Sequence, residues 1–449
     1  MKIAIVGAGA VGLHLARSLS WEGHEVVIID VDQELIDQVQ SSMDVLAIRG
    51  NGTSISTLVK AGIQSADLLL AVTNVDEVNI VACMLAAQFG VATRIARIRN
   101  QEYSRPDTPV KLDKLGISQI IHPELESARE VARLIRYPNA LDVVECANGR
   151  MYLVGLRLDN QSPVLDRPLR ELSPTGEELP FRLVAVNRGG QTVIPGGDFL
   201  MKSHDIVYVI CRTEDIDTVF KMSGKPHQAA RNVMLLGGGI IGRMVAEQLE
   251  ADKEHNIKLI ESDIDKSEMA AQRLRNTMVV RSKGEMDVDI LAQEGIDEMD
   301  IFAALTDDDE NNIVTSLFAR HLKVKRTVTL ISKPLYMPIV QTIGLDAAVN
   351  ERILTTDAIL KYMRGGRIIN ISSLRGIRAE IIEFQAGPQS KVAGRHLRNI
   401  DFPEGVLVGA VDHQGEIEVA VGKTVIHSGD RVVVFSLERS LPKVEKLFA

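Results

Sequence analysis

The sequence predicts an α/β chain built twice over: two Rossmann-like, doubly wound parallel-sheet domains, each followed by a small β-rich α+β domain. Three observations carry this. A short β-branched run ends in Gly-x-Gly-x-x-Gly at residues 7–12 and again at 237–242. In each copy a second apolar run ends in an acid, Asp30 or Glu261, near the spacing a dinucleotide-binding unit requires. Alternating β-branched stretches with Gly-Gly and Gln-Gly turns then close each half.

At 449 residues the chain has room for roughly two to four domains. Its 45% hydrophobic and 25% charged residues are those of a globular protein. Aromatics make up 4%, with a single Trp21, and the net charge is −9, whereas a nucleic-acid binder needs a basic face. No apolar run approaches the roughly 18–20 residues that span a bilayer. Lys2-Ile3-Ala4-Ile5-Val6 stops at a glycine loop, unlike the core of a signal peptide. The expectation is a cytoplasmic protein without direct membrane insertion, which reaches a membrane only through a partner. Cys83, Cys146 and Cys211 are widely spaced and read as buried, reduced thiols. None of the ten histidines stands at metal-ligand spacing with a second His or Cys, so no metal is expected.

The elements of the first unit follow in order. The opening strand runs into Gly7-Ala8-Gly9-Ala10-Val11-Gly12, and Leu13, Ala16, Leu19 and Ser20 then recur at helical spacing. The first glycine makes the turn, the second lets a pyrophosphate approach the backbone, and the third lets helix and strand pack closely. The helix N-terminus offers free N–H donors to the phosphates. The strand at residues 25–29 leads to Asp30, 18 residues beyond Gly12. A carboxylate there binds the adenosine ribose hydroxyls and favours NAD over NADP.

A helix near 34–40 and a strand near 45–48 precede Gly50-Asn51-Gly52-Thr53. The run at 68–72 is continuously apolar, as in a strand buried on both faces. It ends in Thr73-Asn74-Val75-Asp76-Glu77-Val78-Asn79, ahead of a helix around 80–88, and a strand at 93–99 carries Arg94, Arg97 and Arg99. Polar residues at the carboxyl ends of parallel strands face the ligand crevice. Asn51, Thr53, Thr73, Asn74 and Arg97 are therefore candidate nucleotide ligands, with helix capping as the alternative role for Thr73 and Asn74. Arg94 and Arg99 read as solvated surface.

The same landmarks return at nearly constant offset. Gly237-Gly238-Gly239-Ile240-Ile241-Gly242 lies 230 residues after the first fingerprint, Glu261 lies 231 after Asp30, and Thr306-Asp307-Asp308-Asp309-Glu310 lies 233 after Thr73. The second set of candidate ligands is accordingly the six fingerprint residues, Glu261, Thr306 and Asp307. The closing segments repeat too: Ser203-His204-Asp205-Ile206-Val207 echoes Ser428-Gly429-Asp430-Arg431-Val432. Each small domain is expected to hold about four strands. The expected domains are 1–140, 141–224, 231–366 and 367–449, with a breaker-rich linker at 225–230. Amphipathic helices near 123–136 and 353–363 stand between the parts, either packed within their domains or pairing with another element.

The two halves are not equivalent. Leu330 and Ser332 stand where Arg97 and Arg99 do, and Arg281-Ser282-Lys283-Gly284-Glu285 replaces Gly50-Asn51-Gly52-Thr53. Tighter NAD(H) binding is expected at the first site.

Two fingerprints with strand-end acids, Thr-x-x-Asp-Glu twice and two small β domains together resemble the TrkA family across essentially the whole chain. That family comprises the peripheral nucleotide-binding subunits of bacterial Trk potassium uptake, built from two RCK modules. The resemblance implies a regulatory subunit, not an enzyme, binding NAD or NADH, with ATP or ADP as alternatives at the same or the second site. It also implies a homo-tetrameric ring beneath a membrane potassium-transporting subunit of the Trk type, gated by nucleotide. The Gly-Asp usual in the family is missing from 281–285, which puts adenine-side contacts there in doubt.

Two other classes compete. An NAD-dependent oxidoreductase needs a proton-handling side chain beside the nicotinamide. His122 is the candidate, with Val349 near the equivalent position in the second half. A transcriptional redox sensor needs a basic recognition helix, which neither end supplies.

Overall fold

The first sheet is parallel throughout. Its strands are β1 (Lys2–Val6), β2 (Glu25–Asp30), β3 (Leu46–Arg49), β4 (Leu68–Ala71), β5 (Thr93–Arg97) and β6 (Gln119–Ile121), in the order β3-β2-β1-β4-β5-β6. The computed structural model describes residues 1–21, 23–104, 108–109, 111–172, 179–224, 230–282, 288–363, 368–374, 377 and 379–448. Helices α1 (Ala10–Trp21), α2 (Gln33–Ser42), α3 (Ile55–Lys60), α4 (Asp76–Gln88) and α5 (Pro123–Arg136) alternate with the strands. Ile3–Val6 and all four residues of β4 are buried, which explains the unbroken apolar runs. The strand order reverses between β1 and β4, the place where doubly wound sheets bind ligands.

The first small domain is an antiparallel sheet of β7 (Asp142–Cys146), β8 (Met151–Arg157), β9 (Phe181–Arg188), β10 (Gln191–Val193) and β11 (Ile206–Arg212), ordered β10-β9-β11-β8-β7. It is followed by α6 (Ile216–Met222).

The second parallel sheet consists of β12 (Asn232–Leu236), β13 (Asn256–Glu261), β14 (Thr277–Arg281), β15 (Ile301–Ala304), β16 (Arg326–Leu330) and β17 (Ala347–Val349). Its order, β14-β13-β12-β15-β16-β17, is that of the first. Its helices are α7 (Ile240–Asp252), α8 (Ile264–Arg273), α9 (Val288–Gln293), α10 (Asp309–His321), α11 (Met337–Thr342) and α12 (Glu351–Met363). Acids start several of these helices as caps: Asp32 accepts from the Glu34 N–H, Asp263 from Lys266 and Asp308 from Asn311.

The chain closes with β18 (Ile368–Ser373), β19 (Ala379–Gln385), β20 (Arg395–His396), β21 (Val406–His413), β22 (Glu416–Val419), β23 (Val425–Ile426), β24 (Arg431–Leu437) and α13 (Leu441–Phe448). The second small sheet runs β18-β19-β24-β21-β22, with β20 and β23 forming a separate ribbon. Each small domain thus has a five-stranded sheet, not four strands. The three-residue β10, directly after Gly189-Gly190, is too short for its alternation to register as a strand.

The chain divides into two units: residues 1–132 with 231–360, and residues 133–230 with 361–449. The first unit holds both parallel sheets. In the second, the two small sheets share a core. Tyr208 and Ile210 of β11 pack there with Val433 and Phe435 of β24, while Val207 and Val209 serve the first domain's own core and Val432 and Val434 the second's. Strand alternation with period two therefore feeds two cores from one strand. Burial pushes the Tyr208 phenol above its ordinary range and lifts the Cys211 thiol to about 12. Cys83, Cys146 and Cys211 are all buried, and none is joined in a disulfide among the described residues. The expected linker, apart from Ala230, lies outside the described residues. Among the described residues no helix is long and apolar enough to cross a membrane.

Candidate functional site: a cleft present in both halves

All candidate ligands of the first half meet at one sheet edge. Gly7, Ala8 and Gly9 form the loop after β1, and Ala10, Val11 and Gly12 the first turn of α1. Asp30 ends β2, Asn51 and Thr53 follow β3, Thr73 and Asn74 follow β4, and Arg97 ends β5. Gly7 adopts φ +109°, where a side chain would be strained, and a Cβ there would lie 2.9 Å from the Thr73 nitrogen. A Cβ on Gly12 would come within 1.9 Å of the Gly7 carbonyl oxygen. Gly9 differs: nothing among the described residues lies within 4 Å of a Cβ built on it, which leaves the approach to the helix N-terminus open. Gly237, Gly242 and Gly239 repeat these three environments. These features fit a bound pyrophosphate.

The strand-end acids are tied to the fingerprints. Asp30 Oδ2 accepts from the Ala8 N–H at 2.6 Å and Oδ1 from the Asp32 N–H at 2.9 Å. Glu261 does the same through Oε2 to Gly238 at 2.6 Å and Oε1 to Asp263 at 2.8 Å. The swap is compensated, because a Cβ on Gly238 would press to 3.0 Å from Glu261 Oε2, whereas Ala8 faces the shorter aspartate. A carboxylate has about four acceptor positions, so each acid retains capacity for ribose hydroxyls.

Beyond β4 the organising residue is one the sequence reading passed over. Asn79 is fully buried; its Oδ1 accepts from the N–H and hydroxyl of Thr73, and its Nδ2 donates to the carbonyls of Thr73 and Arg97. Asn312 repeats all four bonds with Thr306 and Leu330. Thr73 is thereby held by Asn79, and the α4 N-cap is Val75. The signal lay in the shared offset of 233 for Asn79 and Asn312. Asp76 and Asp309 are similarly repeated, accepting from the backbone of Arg99 and Asn100 and of Ser332 and Lys333. Asn51 Oδ1 accepts from the N–H and hydroxyl of Thr53, closing the turn after β3.

Arg97 ends β5 in a network of side chains, and Arg94 and Arg99 depart from the expected solvated surface. Arg97 is buried, donates from Nη1 to Asn74 Oδ1 at 2.8 Å, and pairs through Nη2 with Oε1 of Glu351 at 3.2 Å. Glu351 begins α12 in the second half, so this pair joins the two nucleotide-binding domains. Arg99 is not simply solvated: its Nε bonds buried Glu124 Oε1 at 2.6 Å. Nor is Arg94, which donates to the carbonyls of Val91, Ala92 and Gly116. Burial, and next the Glu124 charge, push the Glu351 carboxyl above its ordinary range, against the pull of Arg97, Arg99 and Arg352. Strand pairing sets Ile121 beside Arg97 and Val349 beside Leu330, so Asn350, not Val349, stands opposite His122. Burial lowers the His122 pKa.

The second cleft is lined by Gly237, Gly239, Glu261, Lys266, Thr306 and Asp307 and is open to solvent. Ile240 is exposed, whereas Ile241 and Gly242 are buried in the first turn of α7. Lys266 Nζ stands 3.8 Å from exposed Asp307. Arg243, where the first half has Leu13, donates to the Gly238 carbonyl at 2.6 Å. Residues 283–285 of the divergent segment lie outside the described residues. Among the described residues no group of three or more His, Cys, Asp or Glu is arranged to hold a metal.

The TrkA-N domain family matches residues 3–123 and 233–351, and the TrkA-C domain family residues 153–224 and 381–449. The chain is 34% identical over 452 residues to the Trk system potassium uptake protein TrkA of Azorhizobium caulinodans, covering 100% of this chain and 98% of that one. It is likewise 34% identical over 456 residues to TrkA homolog 1 of Methanosarcina mazei, covering both chains completely. Among solved structures, the GsuK channel bound to NAD aligns with a TM-score of 0.62 at 16% identity, over 100% of this chain and 78% of that one. The GsuK RCK domain aligns with a TM-score of 0.61 at 16% identity, over 100% and 94%. At that identity these two matches establish the fold.

Proposed function

The chain belongs to the TrkA family, and on that premise we propose that it is a cytoplasmic, nucleotide-binding regulatory subunit of a membrane potassium transporter of the Trk type. The observation that carries this reading is the duplicated cleft. Fingerprint, acid and Thr–Asn bonding recur at the same sheet edge in both halves, and the Arg97–Glu351 pair joins those halves. The relatives named above are potassium uptake proteins, and one of the aligned channel structures holds NAD.

NAD or NADH is the ligand proposed for the first cleft, with Gly7–Gly12 at the diphosphate, Asp30 at the adenosine ribose, and Asn51, Thr53, Thr73, Asn74 and Arg97 around it. In the second cleft Gly237–Gly242, Glu261, Thr306 and Asp307 hold a nucleotide more weakly, ATP or ADP being alternatives. The first cleft has the fuller set of polar strand-end groups, and the fold keeps both domains in one unit. Calorimetry on the full chain therefore separates the sites, with Gly9→Asp reporting the second and Gly239→Asp the first. Equal affinities for NADH would overturn the ranking.

Binding redistributes conformations only through unequal affinity for them, and moving a population from 1:99 to 99:1 takes roughly a 10⁴-fold difference. A homo-tetrameric ring of such domains under the transporter would convert that difference into opening or closing. Affinity purification from membranes tests the partnership. A potassium-channel-type membrane protein should co-purify, and its reconstituted flux should respond to added NADH or ATP. A reconstituted transporter indifferent to this chain would contradict the proposal.

A further inference from the structure

We propose that Glu351, supplied by the second nucleotide-binding domain, sets the ligand class of the first cleft by cancelling the charge of Arg97, favouring a dinucleotide over a nucleoside triphosphate. The inference rests on the reading of residues 7–12, Asp30 and Arg97 as nucleotide ligands.

Asp30 ends β2 and Arg97 ends β5, on opposite sides of the β1–β4 reversal. A ligand with its adenosine ribose on Asp30 and its diphosphate on the fingerprint therefore extends toward Arg97. NAD presents a nicotinamide riboside there, with no further phosphate; ATP presents its terminal phosphate. A free buried guanidinium would favour the phosphate. Arg97 is not free: Asn74 takes Nη1 and Glu351 takes Nη2. Glu124 adds a second carboxylate, paired with Arg99, and Arg352 and Asp76 also act on this group, so three positive and three negative side chains stand at this end. The seam is also incompletely satisfied. Among the described residues Arg97 Nε and Glu124 Oε2 are buried without hydrogen-bond partners, so one donor and one acceptor at this end are unused.

The test uses the full chain carrying Gly239→Asp, so that binding reports on the first cleft. NAD and ATP are titrated calorimetrically into this parent, and into the parent with Glu351→Gln or Glu351→Asp. The parent should prefer NAD. Glu351→Gln keeps the hydrogen-bonding shape but removes the charge, and should tighten ATP about tenfold or more while NAD changes by less than about threefold. Glu351→Asp should keep the parent's preference. An unchanged NAD-to-ATP ratio in Glu351→Gln overturns the inference, including a parallel weakening of both ligands from a loosened seam. A parent that binds neither ligand defeats the nucleotide reading itself, and the inference falls with it.

Discussion

Arg97 Nη2 and Glu351 Oε1 meet at 3.2 Å although 254 residues separate them, and both side chains are largely removed from solvent. The contact couples the end of β5 in one nucleotide-binding domain to the start of α12 in the other. Glu124, Arg99 and Arg352 face the same carboxylate. Removing one member of such a buried pair leaves a charge without its partner, which costs more than the pair itself contributes.

The raised pKa of Glu351 makes this contact pH-dependent. As pH falls through the raised range, Glu351 protonates while Arg97 stays charged, so ATP should gain on NAD at the first cleft. The folded chain binds that proton more tightly than the unfolded chain, so this group alone adds stability as pH falls and loses it as pH rises. Titrations run downward from neutral pH should show the shift in the Gly239→Asp parent and not with Glu351→Gln. An identical shift in both would assign it to another group.

Asn79→Ala and Asn312→Ala should each destabilise the chain by about 3 kcal/mol, since each strands several buried partners at once. Thermal unfolding measures this. Asp should substitute poorly, because it cannot donate to the Arg97 or Leu330 carbonyl. A loss below about 0.5 kcal/mol would mean the four bonds contribute little beyond solvation.

The shared core of the small domains has no spare room at Gly409, where a Cβ would come within 2.0 Å of Ile210 Cδ1. Gly409→Ala should cost about 1–3 kcal/mol by overpacking. Ile210→Val removes the offending methyl group and should recover part of that loss in the double variant. Additive losses in a double-mutant cycle would separate the two residues.

Much of this was legible from residue order. Fingerprints, strand-end acids and apolar runs are local signals, and repetition at offsets of 230–233 turned them into an architecture. What escaped was what local pattern does not encode. Asn79 looks like one more polar helix residue until its bonds to Thr73 and Arg97 are seen. Glu351 carries the ordinary mark of an acidic first helical turn, and nothing near it points to Arg97. Arg94 and Arg99 read as surface because the Gly116 carbonyl and Glu124 reach them from other segments.

Potassium uptake by cells whose only copy of the chain carries Gly9→Asp or Gly239→Asp tests the central claim most directly. Both positions have open space for a side chain, so the fold should survive and unfolding temperatures should match the unsubstituted protein. Each substitution places a carboxylate where a pyrophosphate must approach. The account predicts that uptake loses its response to nucleotide, more severely for Gly9→Asp. Unchanged uptake and unchanged nucleotide response in both folded variants would contradict it.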